Sequence, residues 1–251
     1  MIDGFAGIGT TLTWFCDPTS WAAAGARMAM GDEGAGGAWG VDHSTGALTV
    51  CPPSKKDFWR KTYYTPILCK DDGPCLFATV PIDQTVTMET SFTLDPKKQF
   101  DQAGLCVRLD HAHWMKTGIE FVDGIPRLSC VVTNGYSDWS TQSWPTNKLC
   151  IRVHKIKCSL VVEAKPLGEE GDWAFIRIAH MSLHHGYETH RQVNDGPAPP
   201  TGMVWMGVFA CCPEEQAGSS ATFHSFTIRA GTSFDHNADG NATQHASSNL
   251  S

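Results

Sequence analysis

The chain has 251 residues, a formal charge of −7, a pI near 5.8 and ten cysteines. That length suits one large domain able to bury a sizeable core. The acidic balance, with no basic cluster, removes the electrostatic reason to expect nucleic acid or an anionic membrane as partner.

The opening stretch MIDGFAGIGTTLTWF carries an acidic residue at position 3 and no apolar run long enough to span a bilayer. It directs nothing to export, so a cytoplasmic chain with no membrane partner is expected. The cysteines then read as reduced thiols, with Cys106, Cys130 and Cys150 serving as small hydrophobes inside strands.

Helical periodicity is nearly absent, and period-two alternation between turn residues recurs throughout. Twelve segments read as strands: 11–16, 46–50, 75–80, 85–94, 103–110, 114–122, 125–133, 148–154, 159–164, 173–180, 203–211 and 221–229. In the fourth, Val86, Met88 and Phe92 share one face while Thr85, Thr87, Glu89 and Ser91 share the other, as in a half-buried antiparallel strand. The pattern predicts an all-β, antiparallel two-sheet sandwich of jelly-roll type. The loops 31–40 and 193–202 are too rich in Gly and Pro for central strands. Residues 1–230 form the expected single domain, and the small polar residues of 231–251 read as a disordered tail.

The segment 116–140 holds the densest polar pattern. Asp123-Gly124 and Asn134-Gly135 are dipeptides that favour two-residue hairpin turns. A turn at Asp123-Gly124 sets Val122 against Ile125, Glu120 against Arg127, Gly118 against Ser129 and Lys116 against Val131. A three-residue loop over 111–113 would set Arg108 against Lys116, Cys106 against Gly118 and Gly104 against Glu120. The alternate residues Leu105, Val107, Leu109, Ile119, Phe121, Leu128, Cys130 and Val132 form the expected core face. On the polar face, adjacent Arg108 and Lys116 call for a carboxylate or an anionic ligand, with Glu120 or Asp138 as the expected source. Gly104, Cys106, Gly118 and Ser129 would floor a shallow depression for a hydroxyl-rich ligand, with Trp114 or Trp139 to stack on it.

Other chemistry finds little support. The histidines of 180–190 and the pair His111/His113 lack partners at a metal-ligand spacing, and no Gly-x-Ser-x-Gly elbow occurs. No metal and no cofactor is expected.

The stretch 101–140 (DQAGLCVRLDHAHWMKTGIEFVDGIPRLSCVVTNGYSDWS) closely resembles the centre of the regulation-of-enolase-like domain family of unknown function (DUF1349). WFCDPTSW (14–21), KKDFWRKTYY (55–64) and 207–228 resemble its opening, second block and closing strands. The resemblance implies a concanavalin A-like lectin/glucanase sandwich, a cytosolic location and a tie to sugar metabolism, without implying a reaction. The family's recurrent polar pattern falls on Gln102, Arg108, Trp114, Lys116, Glu120, Thr133, Ser137, Asp138 and Trp139. The first expectation is therefore a non-catalytic carbohydrate-binding or sugar-regulatory protein, taking a carbohydrate or sugar phosphate. A glycoside hydrolase using Glu120 and Asp138 is the alternative, since such enzymes need two carboxylates about 5.5 Å apart for retention or roughly 6.5 to 9.5 Å apart for inversion. A protein-interaction module, signalled by an exposed Trp39 or Trp59, is the third.

Overall fold

The computed structural model describes residues 1–20, 38–168, 170–183, 196–214 and 218–235, which contain eighteen strands. Among the described residues no helix is long and apolar enough to cross a membrane. The larger sheet runs β16 (Ala174–His180), β15 (Ser159–Lys165), β14 (Lys148–Ile156), β9 (Val86–Asp95), β18 (Ser220–Ala230), β5 (Leu48–Cys51), β4 (Ala38–Val41) and β3 (Thr19–Ser20), with β1 (Ile2–Asp3) also paired to β18. The smaller runs β13 (Ser137–Ser143), β12 (Ile125–Asn134), β11 (His113–Val122), β10 (Gln102–Asp110), β17 (Met203–Cys211), β8 (Cys75–Pro81) and β2 (Thr13–Phe15). A separate hairpin joins β6 (Phe58–Arg60) to β7 (Cys69–Asp71). Among the described residues every pairing between named strands is antiparallel except β3 with β4.

All twelve segments with clean alternation form strands. The main core lies between the sheets, where Val86, Met88, Phe92 and Leu94 of β9 meet the inward residues of β10 to β12. Each such aliphatic or aromatic side chain contributes about 1.5 to 3 kcal/mol on burial. Of the expected core face only Phe121 departs, being half-buried beside the hairpin turn. Cys106 and Cys130 are buried as expected, Cys150 is half-buried, and all ten thiols are free.

The strands that alternation did not find, β1, β3, β4, β6, β7 and β13, are short or almost wholly polar. Most of the histidine stretch 180–190, most of the loop 31–40, the start of the loop 193–202 and most of the tail lie outside the described residues.

Candidate functional site

The outer face of the smaller sheet is built on the β11–β12 hairpin, whose register matches the expectation pair for pair from Val122–Ile125 to Lys116–Val131. Asp123 and Gly124 both take positive φ, 54° and 81°, as a two-residue turn of this hand needs. Asn134-Gly135 does not repeat it. Thr133 pairs with Ser137, so the connection has three residues, and Gly135 N donates instead to Ala112 O.

The β10–β11 register differs from expectation by two. Asp110 pairs with His113, a bulge follows at Leu109, and Arg108 then faces Trp114, Cys106 faces Lys116 and Gly104 faces Gly118. The cause is local: Asp110 Oδ1 accepts from Ala112 N at 2.7 Å and lies 2.9 Å from His113 Nδ1, so its side chain tightens the turn. A slip of two keeps every side chain on its face and changes only its partner. Arg108 and Lys116 are therefore not direct neighbours. Gly104 and Gly118 do not floor a ligand depression either, because a Cβ on one would meet the backbone of the other at 2.7 Å; they let the two strands approach.

The face itself is covered. The β6–β7 hairpin lies across it, burying Phe58 and Trp59 against Phe15, Phe77, Trp114, Val131 and Phe209 in a second apolar cluster. Its carboxylates meet the sheet's cations. Lys116 Nζ donates to Asp57 Oδ1 at 2.8 Å, and Gln102 Nε2 donates to the same oxygen at 3.1 Å. Arg108 grips Asp71 with two bonds, Nη2 to Oδ2 at 2.6 Å and Nε to Oδ1 at 3.2 Å, while Nη1 donates to Pro197 O at 2.7 Å. Its guanidinium also stacks on Phe15, 4.4 Å from the ring centre. Ser137 Oγ accepts from Arg60 N at 2.9 Å and lies 2.9 Å from Thr133 Oγ1. Six of the nine candidate residues, Gln102, Arg108, Trp114, Lys116, Thr133 and Ser137, thus hold or back the hairpin. The space between Gln102, Lys116, Glu120 and Ser129 does not hold even a water-sized cavity.

Charge in this layer follows from burial and pairing. Burial presses the Lys116 ammonium towards neutrality, but Asp57 and Glu120 outweigh it and hold its pKa above the ordinary value. Burial raises the Glu120 carboxyl above its usual range, against the pull of Lys116 and of a hydrogen bond from Ser129. Ser129 Oγ donates to Glu120 Oε2 at 2.6 Å, and Trp139 Nε1 donates to Ser129 Oγ at 2.8 Å. A chain of hydrogen bonds so links a buried carboxyl to a ring 37% exposed at the rim.

Trp139 stands in an aromatic group. Trp59 and Phe100 meet it edge-on at 6.2 and 6.4 Å, Trp59 also meets Tyr64 at 5.8 Å, and Tyr63, Ile67 and Tyr136 are exposed nearby along the hairpin tip and the β12–β13 turn. Trp39 and Trp59 are not the exposed pair expected of an interaction module: the first is half-buried and the second buried.

Asp138 belongs elsewhere. It pairs with Val132, whose side chain enters the core, so it points to the opposite side of the sheet from Trp139 and Glu120. There it is 75% exposed and 3.4 Å from Arg177 of β16, which also donates to Ser140 Oγ at 2.6 Å. Glu120 and Asp138 cannot flank one bond from opposite faces of a sheet, and the single charged cluster expected from Arg108, Lys116, Glu120 and Asp138 is not assembled.

Over residues 38–231 the sequence matches the family described as "Protein of unknown function (DUF1349)". The chain belongs to this family. It is 31% identical over 192 residues to "Regulation of enolase protein 1" of Saccharomyces cerevisiae, covering 76% of this chain and 85% of that protein. A crystal structure of a functionally unknown protein from S. cerevisiae superposes with a TM-score of 0.65 at 26% identity, covering 88% of this chain and 97% of the other. The structure described as "Bacteroides ovatus Xyloglucan PUL GH43B" superposes at a TM-score of 0.55 and 16% identity over 76% of this chain and 34% of its own; it shares the sandwich fold.

For this DUF1349 member, the residues that sequence reasoning missed are Asp57, Asp71 and Tyr64. Asp57 and Tyr64 sit in the block KKDFWRKTYY, and Asp71 follows it. Half of the signal was there: two cations on a strand face require carboxylates, but this block is basic overall, with Asp57 its one acid, and nothing in it marks that acid as the partner. Among the described residues no three His, Cys, Asp or Glu side chains stand together as metal ligands.

Proposed function

We propose that this DUF1349 protein is a carbohydrate-recognition module that binds without turning over its ligand, and that its contact surface is the aromatic rim around Trp139. One observation carries the reading: an exposed indole is held rigid by a hydrogen bond from its Nε1 and by edge contacts from Trp59 and Phe100. A fixed ring beside hydroxyl-bearing strand residues suits the apolar face of a sugar, with little ordering cost on binding. The relative named for regulation of enolase supports a role tied to sugar metabolism. The covered face supports binding at the rim rather than over Lys116 and Glu120.

A second reading has its own observation. Tyr63 is 89% exposed and Ile67 71% exposed at the hairpin tip, which suits a protein partner.

A screen of neutral glycans and sugar phosphates against the purified chain tests both. Trp139→Ala should weaken the best hit by about 1.5 kcal/mol, roughly tenfold, measured well below the melting midpoint, which the lost ring contacts should lower modestly. Absence of any hit, or a hit indifferent to Trp139→Ala, would sink the first reading. Release of reducing sugar that disappears in Glu120→Gln would replace it with hydrolysis.

A further inference from the structure

Along one edge, β18 changes neighbours. Ala221, Thr222 and Phe223 pair with β5, whereas Thr227 and Ile228 pair with β1. Between them, at a bulge after Phe223, His224 to Phe226 have no strand beside them on that edge among the described residues. The wall of the larger sheet therefore has a gap, and the gap opens into a cavity of about 820 Å³. Residues 3–8 form one side, and β4 with the turn after it forms the other. Its volume falls within the roughly 300 to 1,000 Å³ of small-molecule sites, in contrast to the closed face under the β6–β7 hairpin.

The lining has a definite chemistry. Trp39 packs against the core, yet its Nε1 is buried with no hydrogen-bond partner. That nitrogen is sealed from the cavity, so the polar contacts on offer come from the side chains around it. Asp3 offers a carboxylate acceptor, Thr45 a hydroxyl, and His43 and His224 imidazole nitrogens; His224 is steadied by its Nε2, 2.9 Å from Thr93 Oγ1. Phe5, stacked on Phe226, supplies an apolar flank. Among the described residues no Lys or Arg lines the cavity, so an anion would meet Asp3 without a cation from them. Donors, acceptors and an apolar flank without positive charge match a ligand whose hydroxyls both give and accept hydrogen bonds.

We propose that this gap in the larger sheet is a binding site for a neutral mono- or disaccharide, with Asp3, His43, Thr45 and His224 as its polar contacts. The site stands on this cavity alone and does not depend on the rim around Trp139.

The test titrates the full chain with glucose, galactose, xylose, maltose and glucose 6-phosphate while following backbone amide resonances. The expected result is saturable shifts in 3–8, 39–46 and 224–226 with at least one neutral sugar at millimolar concentration, and weaker binding of glucose 6-phosphate. His224→Phe keeps a ring and deletes its nitrogens, and should weaken that sugar about fivefold. Thr45→Trp, on the exposed turn at the mouth, should abolish the shifts without touching the core, so the proposal remains testable if His224→Phe does not fold. No shifts in these segments, equal or tighter binding of the phosphorylated sugar, or binding unmoved by Thr45→Trp would overturn it. Shifts confined to the surroundings of Trp139 would do the same while leaving the rim reading intact.

Discussion

The centre and the rim of one sheet face carry the same kinds of residue and do opposite things. At the centre, Arg108 and Lys116 are buried and each is matched to a carboxylate from the β6–β7 hairpin. At the rim, Trp139 and Tyr64 stay partly exposed around a hydrogen-bond chain that ends in Glu120. Buried charge is tolerated only when paired, so the cations of a strand face become ties wherever another segment brings acids to them. Polar residues on a strand therefore do not by themselves mark a ligand site; what decides is whether the opposing groups come from the same chain.

The sharpest way to break this comparison is Asp71→Ala, which strands a fully buried guanidinium. It should cost about 3 kcal/mol, towards the lower end for a broken buried pair because Pro197 O and the Phe15 ring still hold Arg108. Denaturant unfolding measures it, and a loss under about 1 kcal/mol would mean that the hairpin is only loosely tied.

Lys116→Met comes next. The ammonium is 3% exposed and bonded to Asp57, so the change should cost about 2 kcal/mol of stability; a ligand site on an open face would lose affinity and keep its stability. A double-mutant cycle with Asp57→Asn should show coupling between the two, and additive losses would count against the tie.

The smallest effect sharpens the link between centre and rim. The folded pKa of Glu120 lies above its ordinary value of 4.5, chiefly through burial. Its stabilising contribution is full below that ordinary value and is lost as pH rises through the raised one. Glu120→Gln, which cannot ionise, should therefore gain on the wild type as pH is raised from about 4 to about 7, read as the difference between their unfolding free energies. A difference that stays flat with pH would show that Glu120 titrates normally.

Much of this was legible in the sequence. Strict alternation located the long strands, and Asp123-Gly124 set the β11–β12 register because both turn positions need positive φ. The β10–β11 register escaped because Asp110 folds its own side chain into the turn, a local hydrogen bond with no trace in hydrophobic periodicity. β13 escaped because every residue in it but Trp139 is polar, so it shows no alternation. The cover escaped for a deeper reason. Alternation reports which side of a strand faces the main core, and the residues 52–74 that close the other side are joined to it by pairings such as Lys116–Asp57, 59 residues apart. The need for carboxylates opposite Arg108 and Lys116 could be read; their source could not. Asp138, assigned to that role by proximity in sequence, was excluded by its odd offset from Trp139 along the strand.

That offset has a use of its own. β13 and β16 are the outermost strands on the same flank of the sandwich, and such strands offer unpaired backbone groups to any passing chain. Arg177 reaches from β16 to Ser140 Oγ, to Cys130 O at 3.4 Å and to Asp138, placing charge in the seam between the two edges. A strand arriving to lengthen either sheet, or a second molecule stacking edge to edge, would have to strip water from that ion pair before gaining any ladder hydrogen bonds. Charge in that seam makes edge-to-edge stacking costly at a flank where both sheets end among the described residues.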